Sequence, residues 1–256
     1  MLRFPVVGEF APGQVAIVRA PSTRRIVPEV EAIIDAAWSA ALARPGVHLF
    51  DGPMCRLESF RVSPQRLELS LSDTSYKPFF GTHLSHPELF NRFGPEVMSN
   101  SVGVSPALLS SDGFLMLGRR NQSVAYYPGR VHPFSGSLEP REQDVFGAVR
   151  RELREELSLA DADIAQMVCT GIAEDLCLRH PELMFAVTAT RTREQIERQL
   201  DPVEHHDVWS TPGGEAGVAA ALGQRDQLTP IAIASLLLWG RLSFGDAWFA
   251  QRSVEC

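Results

Sequence analysis

Residues 150–159, RRELREELSL, place three carboxylates within five positions of a segment whose apolar residues recur at helical spacing. On a wheel of about 100° per residue with Glu152 at the origin, Glu155 falls near 300° and Glu156 near 40°. Phe146, Val149, Leu153 and Leu157 occupy roughly 60° to 140°, so the acidic arc borders the core face instead of opposing it. A chain carrying this helix must pack it on an apolar layer and leave its carboxylates at the rim. Two uses of such a helix fit. Arg151 and Glu155, at i and i+4, suit a solvated ion-paired surface. Glu152 with Glu155 and with Glu156 sets like charges together, a conflict that a hard divalent cation between them removes.

The rest of the chain supplies the layer. Residues 28–43, PEVEAIIDAAWSAALA, read as an amphipathic helix ending before Pro45. MCRLESFRV and RLELSLS alternate in period two around Ser63-Pro64 and predict a β-hairpin. From about residue 99, SVGVSPALLS and FLMLGRR flank the turn SSDG as an antiparallel pair. A helix is expected over 142–158, strands near 167–174 and 183–190, and helices near 192–200 and 229–240. This order predicts an α/β (α+β) chain with helices on the faces of a mixed sheet. It divides into an N-terminal α+β module, 1–98, and a second domain, 99–256.

Composition excludes several classes. A net charge of -7 gives no general grip on nucleic acid or anionic membrane. The N-terminal stretch holds Pro5, Glu9 and Pro12 where a secretory signal needs an unbroken apolar run, and residues 231–239 fall far short of the ~20 needed for a membrane span. Cys55, Cys169, Cys177 and Cys256 show no metal or disulfide spacing and read as reduced, structural cysteines in a cytoplasmic protein.

Upstream of the helix, Gly136-x5-Glu142, followed by Arg151-Glu152-Leu153-x-Glu155-Glu156-x-x-Leu159, resembles the signature of the Nudix hydrolase superfamily. Eight residues separate Glu142 from Arg151 where that signature has seven, and Ser158 stands where it has glycine. One inserted loop residue restores the register. The segments LFDGPMCRL, TSYKPFFGT, GFLMLGRR and PELMF resemble the UDP-sugar pyrophosphatases of that superfamily, over about residues 48–190.

The resemblance implies an α/β/α sandwich that hydrolyses UDP-glucose or UDP-galactose, a small-molecule nucleotide sugar, to UMP and the sugar 1-phosphate. It implies Mg²⁺, with Mn²⁺ as a substitute, on Glu152, Glu155, Glu156 and the Gly136 carbonyl. Glu142 and Arg151 become the brace of the loop. Other nucleoside diphosphate derivatives (ADP-ribose, a dinucleotide, a coenzyme) and a catalytically silent binding module are the alternative readings. The changed box motivates the last, and the retained carboxylates argue against it.

Outside the box, Glu182 opens an apolar strand and is either a strand-end carboxylate or a further ligand or base. Arg119 and Arg120 suit a diphosphate, with one of the two expected to face solvent. Tyr76, Lys77, Phe79 and Tyr127 are candidates for uracil stacking or phosphate pairing, and Tyr126 shares the ambiguity of Tyr127. His205 and His206 read as an exposed loop, and GGEAG at 213–217 as a mobile one.

Overall fold

The computed structural model describes residues 1–47 and 49–254. In chain order it contains β1 (Leu2–Phe10), β2 (Val15–Arg19), α1 (Pro28–Leu42), β3 (Pro53–Ser63), β4 (Arg66–Ser75), α2 (Tyr76–Phe79), α3 (Leu89–Phe93), β5 (Gly103–Leu109), β6 (Phe114–Arg120), β7 (Val131–His132) and β8 (Gly136–Ser137). The box helix α4 (Val145–Leu157) follows, then β9 (Ile164–Asp175), β10 (His180–Ala189), α5 (Arg193–Glu197), β11 (His205–Pro212), α6 (Glu215–Leu222), α7 (Pro230–Phe244) and α8 (Asp246–Ser253).

The main sheet runs β1-β9-β10-β5-β6-β11, with β7 on β6 and β8 on β5. It is mixed because β10 and β5 pair in parallel while the other neighbours are antiparallel. Alternation along β10 makes it two-faced. Leu183, Phe185 and Val187 join α4 through Phe146, Val149, Leu153 and Leu157, whereas Met184 and Ala186 turn to the opposite side, where α7 supplies Ile231, Ala232, Leu236 and Leu238. Helix, sheet and helix are therefore stacked. Truncating Leu153, which is fully buried in this core, carries a cost of about 2–5 kcal/mol.

A smaller sheet, β2-β4-β3, contains the expected hairpin. It does not stand apart from the main body. Leu67, Leu69 and Leu71 share a core with α4, and Cys55 N donates to Leu138 O at 2.8 Å. The N-terminal strand also crosses the boundary expected at residue 98: β1 lies antiparallel on β9 at the edge of the main sheet. Its contribution is a tertiary event with no local sequence signature.

Helix α4 starts at Val145, three residues later than expected, because Asp144 is its N-cap and accepts from Gly147 N at 2.8 Å. GGEAG is not a free loop. Gly214 is the N-cap of α6, and the helix runs through the rest of the segment. Cys55 and Cys169 are buried and free, Cys177 is free but exposed, and Cys256 lies outside the described residues. Among the described residues no helix is long and apolar enough to cross a membrane.

Candidate active site

Helix α4 ends in a left-handed (αL) cap: Ser158 N donates to Arg154 O at 3.0 Å and Leu159 N to Leu153 O at 3.2 Å. Ser158 itself is left-handed, with φ 52° and ψ 27°. This turn fixes the end of the helix from which the acidic residues project.

Arg151 is the hub. Its Nε donates to Glu142 Oε1 at 2.9 Å and another guanidinium nitrogen to the Ser137 carbonyl at 3.0 Å. A third reaches Glu152 Oε1 at 2.6 Å and Glu155 Oε2 at 3.1 Å. Glu142 also accepts from Glu139 N at 2.7 Å, so the loop before α4 is closed on itself and tied to the helix. β8, in the same loop, pairs with β5 and brings Gly136 against the Glu152 carboxylate, where any β-carbon would collide.

Glu152 and Glu156 are buried, whereas the Glu155 side chain is 57% exposed. Burial pushes the Glu152 carboxyl up to about 8; neighbouring Glu156 adds to the rise and Arg151 opposes it. Burial also holds Glu156 well above the ordinary carboxylate range, with Glu204 adding to the effect. No well-aligned hydrogen bond reaches either Glu156 oxygen: its polar neighbours are the Ser135 backbone and His205 Nδ1, which lies 2.7 Å from Oε2 but off the line of a hydrogen bond.

Glu152 and Glu155 border a cavity of about 590 Å³, and Glu156 lies buried behind them. Gly136, Arg151, Glu152 and Glu155 form one wall; Tyr76, Phe79, Arg120, Tyr126, His180 and Glu182 line others, and Glu204 lies at the side. Arg120 is held for this position: its guanidinium lies 4.3 Å from the Tyr126 ring centroid and donates to the Tyr126 carbonyl at 3.1 Å. Glu182 accepts from Ser105 Oγ, and its Oε1 is 3.4 Å from His180 Nδ1.

The donor chemistry suits a hard divalent cation. Buried, unpartnered oxygens on Glu156 and repelling carboxyls on Glu152 and Glu156 are unfavourable without one. Among the described residues, however, no three His, Cys, Asp or Glu side chains are gathered as ligands. Arg151 bridges Glu152 and Glu155 instead, so a cation there competes with its ion pairs.

Residues 100–221 match the NUDIX domain family model. Human uridine diphosphate glucose pyrophosphatase NUDT22 is 30% identical over 208 residues, covering 68% of this chain and 68% of the relative. The chain belongs to the Nudix hydrolase family. The mouse protein of the same name is 29% identical over 223 residues, covering 74% of this chain and 72% of its own. A solved NUDIX hydrolase from Nitrosomonas europaea is similar at TM-score 0.41 and 18% identity, covering 54% of this chain and 87% of its own.

In this Nudix hydrolase the residues singled out from sequence separate into two groups. Gly136, Arg151, Glu152, Glu155, Glu182, Arg120, Tyr76 and Phe79 meet at the cavity, with Glu156 beside His205 and Glu142 behind Arg151. Arg119 points elsewhere, to Gly129 O and Gln227 Oε1, each at 3.3 Å. Lys77 pairs with Asp35 at 2.6 Å, and the Tyr127 hydroxyl donates to Asp175 at 2.6 Å. Alternation along β6 explains the split between Arg119 and Arg120.

Sequence reasoning passed over His180 and Glu204 and misplaced His205. His180 stands two residues before Glu182 on one strand, and that period-two relation was a usable signal. Glu204 sits in a loop and offers none. His205 is a correction to the exposed-loop reading: it is fully buried as the first residue of β11, while His206 is exposed. Its ring fits over Gly118, where a β-carbon would strike it.

Proposed function

We propose that this Nudix hydrolase cleaves the diphosphate of UDP-glucose or UDP-galactose to give UMP and the sugar 1-phosphate. The observation that carries the reading is one cavity faced by Glu152 and Glu155 of α4 on one side and the buried Arg120 on another. That its human and mouse relatives are uridine diphosphate glucose pyrophosphatases supports the choice of nucleotide sugar.

Glu152, Glu155, Glu156 and the Gly136 carbonyl would hold Mg²⁺ or Mn²⁺. When bound, such a cation neutralises phosphate charge and acidifies a water. Arg120 supplies a fixed fork of donors to a non-bridging phosphate oxygen, and its clamp on Tyr126 limits the entropy lost on pairing. Tyr76, Phe79 and Tyr126 offer ring faces to uracil. Glu182 and Glu204 are the two carboxylates beyond the helix that line the cavity and can take the proton of the attacking water. Arg151 and Glu142 hold the loop and so keep the Gly136 carbonyl in register with the helix.

The test is hydrolysis of UDP-glucose with Mg²⁺, with phosphatase releasing phosphate from the products. UDP-galactose, ADP-ribose and a dinucleoside polyphosphate serve as competitors, and Glu156→Gln as the site variant. We expect turnover of the UDP-sugars by the wild type and its loss in the variant. Absence of Mg²⁺-dependent turnover would overturn the activity; full turnover by Glu156→Gln would overturn the site.

A further inference from the structure

His83 and His205 are both fully buried, yet only one is chemically satisfied. His83 Nδ1 lies 2.8 Å from the Leu178 carbonyl, and its Nε2 accepts from Asn100 N at 2.8 Å, so a neutral ring meets both of its needs. Neither His205 nitrogen has a hydrogen-bond partner. Its ring instead packs edge-on to Phe134 at 5.2 Å, with Nδ1 directed to within 2.7 Å of Glu156 Oε2. Packing alone would be served better by phenylalanine, because an unsatisfied buried polar group is unfavourable by about 1–3 kcal/mol.

The chain leading to His205 is also held to Glu156. Asp201 N donates to the Glu156 carbonyl at 2.7 Å. Asn121 clamps the intervening turn: its amide nitrogen donates to Pro202 O and Val203 O, each at 2.8 Å, and its backbone N to Glu204 O at 2.8 Å. One short strap therefore contacts both the backbone and the carboxylate of a single glutamate. Gly118 leaves the space in which the imidazole lies.

We propose that His205 is the positioning residue of Glu156, holding one carboxylate oxygen through Nδ1 so that the other is presented to a divalent cation. The inference rests on the assignment of Glu156 to that cation, and nothing in the box signature specifies it. A small rotation of the carboxylate brings Nδ1–H into line with Oε2, giving the ligand the outer hydrogen bond that fixes such groups.

The experiment is Mn²⁺ binding without nucleotide, by calorimetry and by the electron paramagnetic resonance signal of free Mn²⁺, on wild type, His205→Phe, His205→Asn and His205→Gln. The asparagine amide can put a donor near the Nδ1 position, and the glutamine amide near Nε2. We expect His205→Phe to keep the circular dichroism spectrum and to melt no lower than wild type while its Mn²⁺ affinity falls about 10–100-fold. His205→Asn should recover most of that loss and His205→Gln little. Wild-type affinity in His205→Phe overturns the proposal. If the phenylalanine variant does not fold, equal affinities for the asparagine and glutamine variants overturn it. Because no nucleotide is present, failure of the substrate assignment leaves this readout intact.

Discussion

Gly136 packs so closely on Glu152 that a β-carbon at position 136 would overlap the carboxylate. The loop glycine and the helix glutamate are thus one steric unit. Gly136→Ala should displace the carboxylate while leaving the core of α4 untouched. We expect kcat/KM for UDP-glucose to drop about 100-fold, the order of loss expected from misplacing a group at the chemical centre. Steady-state kinetics beside thermal unfolding will check this, and unchanged kinetics in a folded variant would refute the steric coupling.

Ser158 occupies the left-handed position that closes α4. A left-handed conformation is unfavourable by about 1–2 kcal/mol for a non-glycine residue, and the greater freedom of unfolded glycine offsets part of the gain on replacement. Ser158→Gly should raise stability by about 0.5–1 kcal/mol in urea denaturation. Activity should rise as the helix end and its glutamates become better fixed. A destabilised Ser158→Gly protein would mean that the serine side chain makes an offsetting interaction.

Burial raises the Glu152 carboxyl from 4.5 to about 8 in the cation-free protein. Below about 4.5 both folded and unfolded chains hold this proton. Between the two values only the folded chain does, so stability falls as pH rises through that window and levels off above about 8. Glu152→Gln should flatten this part of the profile, measured in chelator by chemical denaturation and compared with wild type. A bound divalent cation displaces the same proton, so Mn²⁺ affinity should strengthen as pH rises towards 8. Parallel wild-type and variant profiles would remove Glu152 as the cause.

Arg120 lines the cavity and Arg119 does not. Arg120→Ala should raise KM for UDP-glucose at least about tenfold, the scale of a lost charge-assisted hydrogen bond to phosphate. Arg119→Ala should leave KM within about twofold. Equal effects would indicate that the cleft rearranges around the diphosphate when substrate binds.

Glu182 and Glu204 can be separated by the turnover of their glutamine variants. Glu182 is buried on β10 and accepts from Ser105, whereas Glu204 is exposed on the strap beside Glu156. Replacing the one that takes the water proton with glutamine should lower kcat about 10²–10⁴-fold with KM little changed. The other replacement should lower kcat less than about tenfold, and equal losses would leave neither as the base.

The sequence by itself determined the pieces whose signals are local. Helical spacing from Phe146 to Leu157 fixed the face of α4 and the arc of Glu152, Glu155 and Glu156; period-two alternation located β3 and β4, and the SSDG turn located β5 and β6. Box spacing marked Gly136, Glu142 and Arg151 before any contact was known. Only the tertiary structure decided which residues share a site across long separations. It laid β1 on β9, turned Arg120 inward and Arg119 outward, and brought His205 to Glu156 through a strap pinned by Asn121. Those outcomes depend on sheet order and strand facing, which arise when distant segments exclude water together; no short window of sequence contains that information.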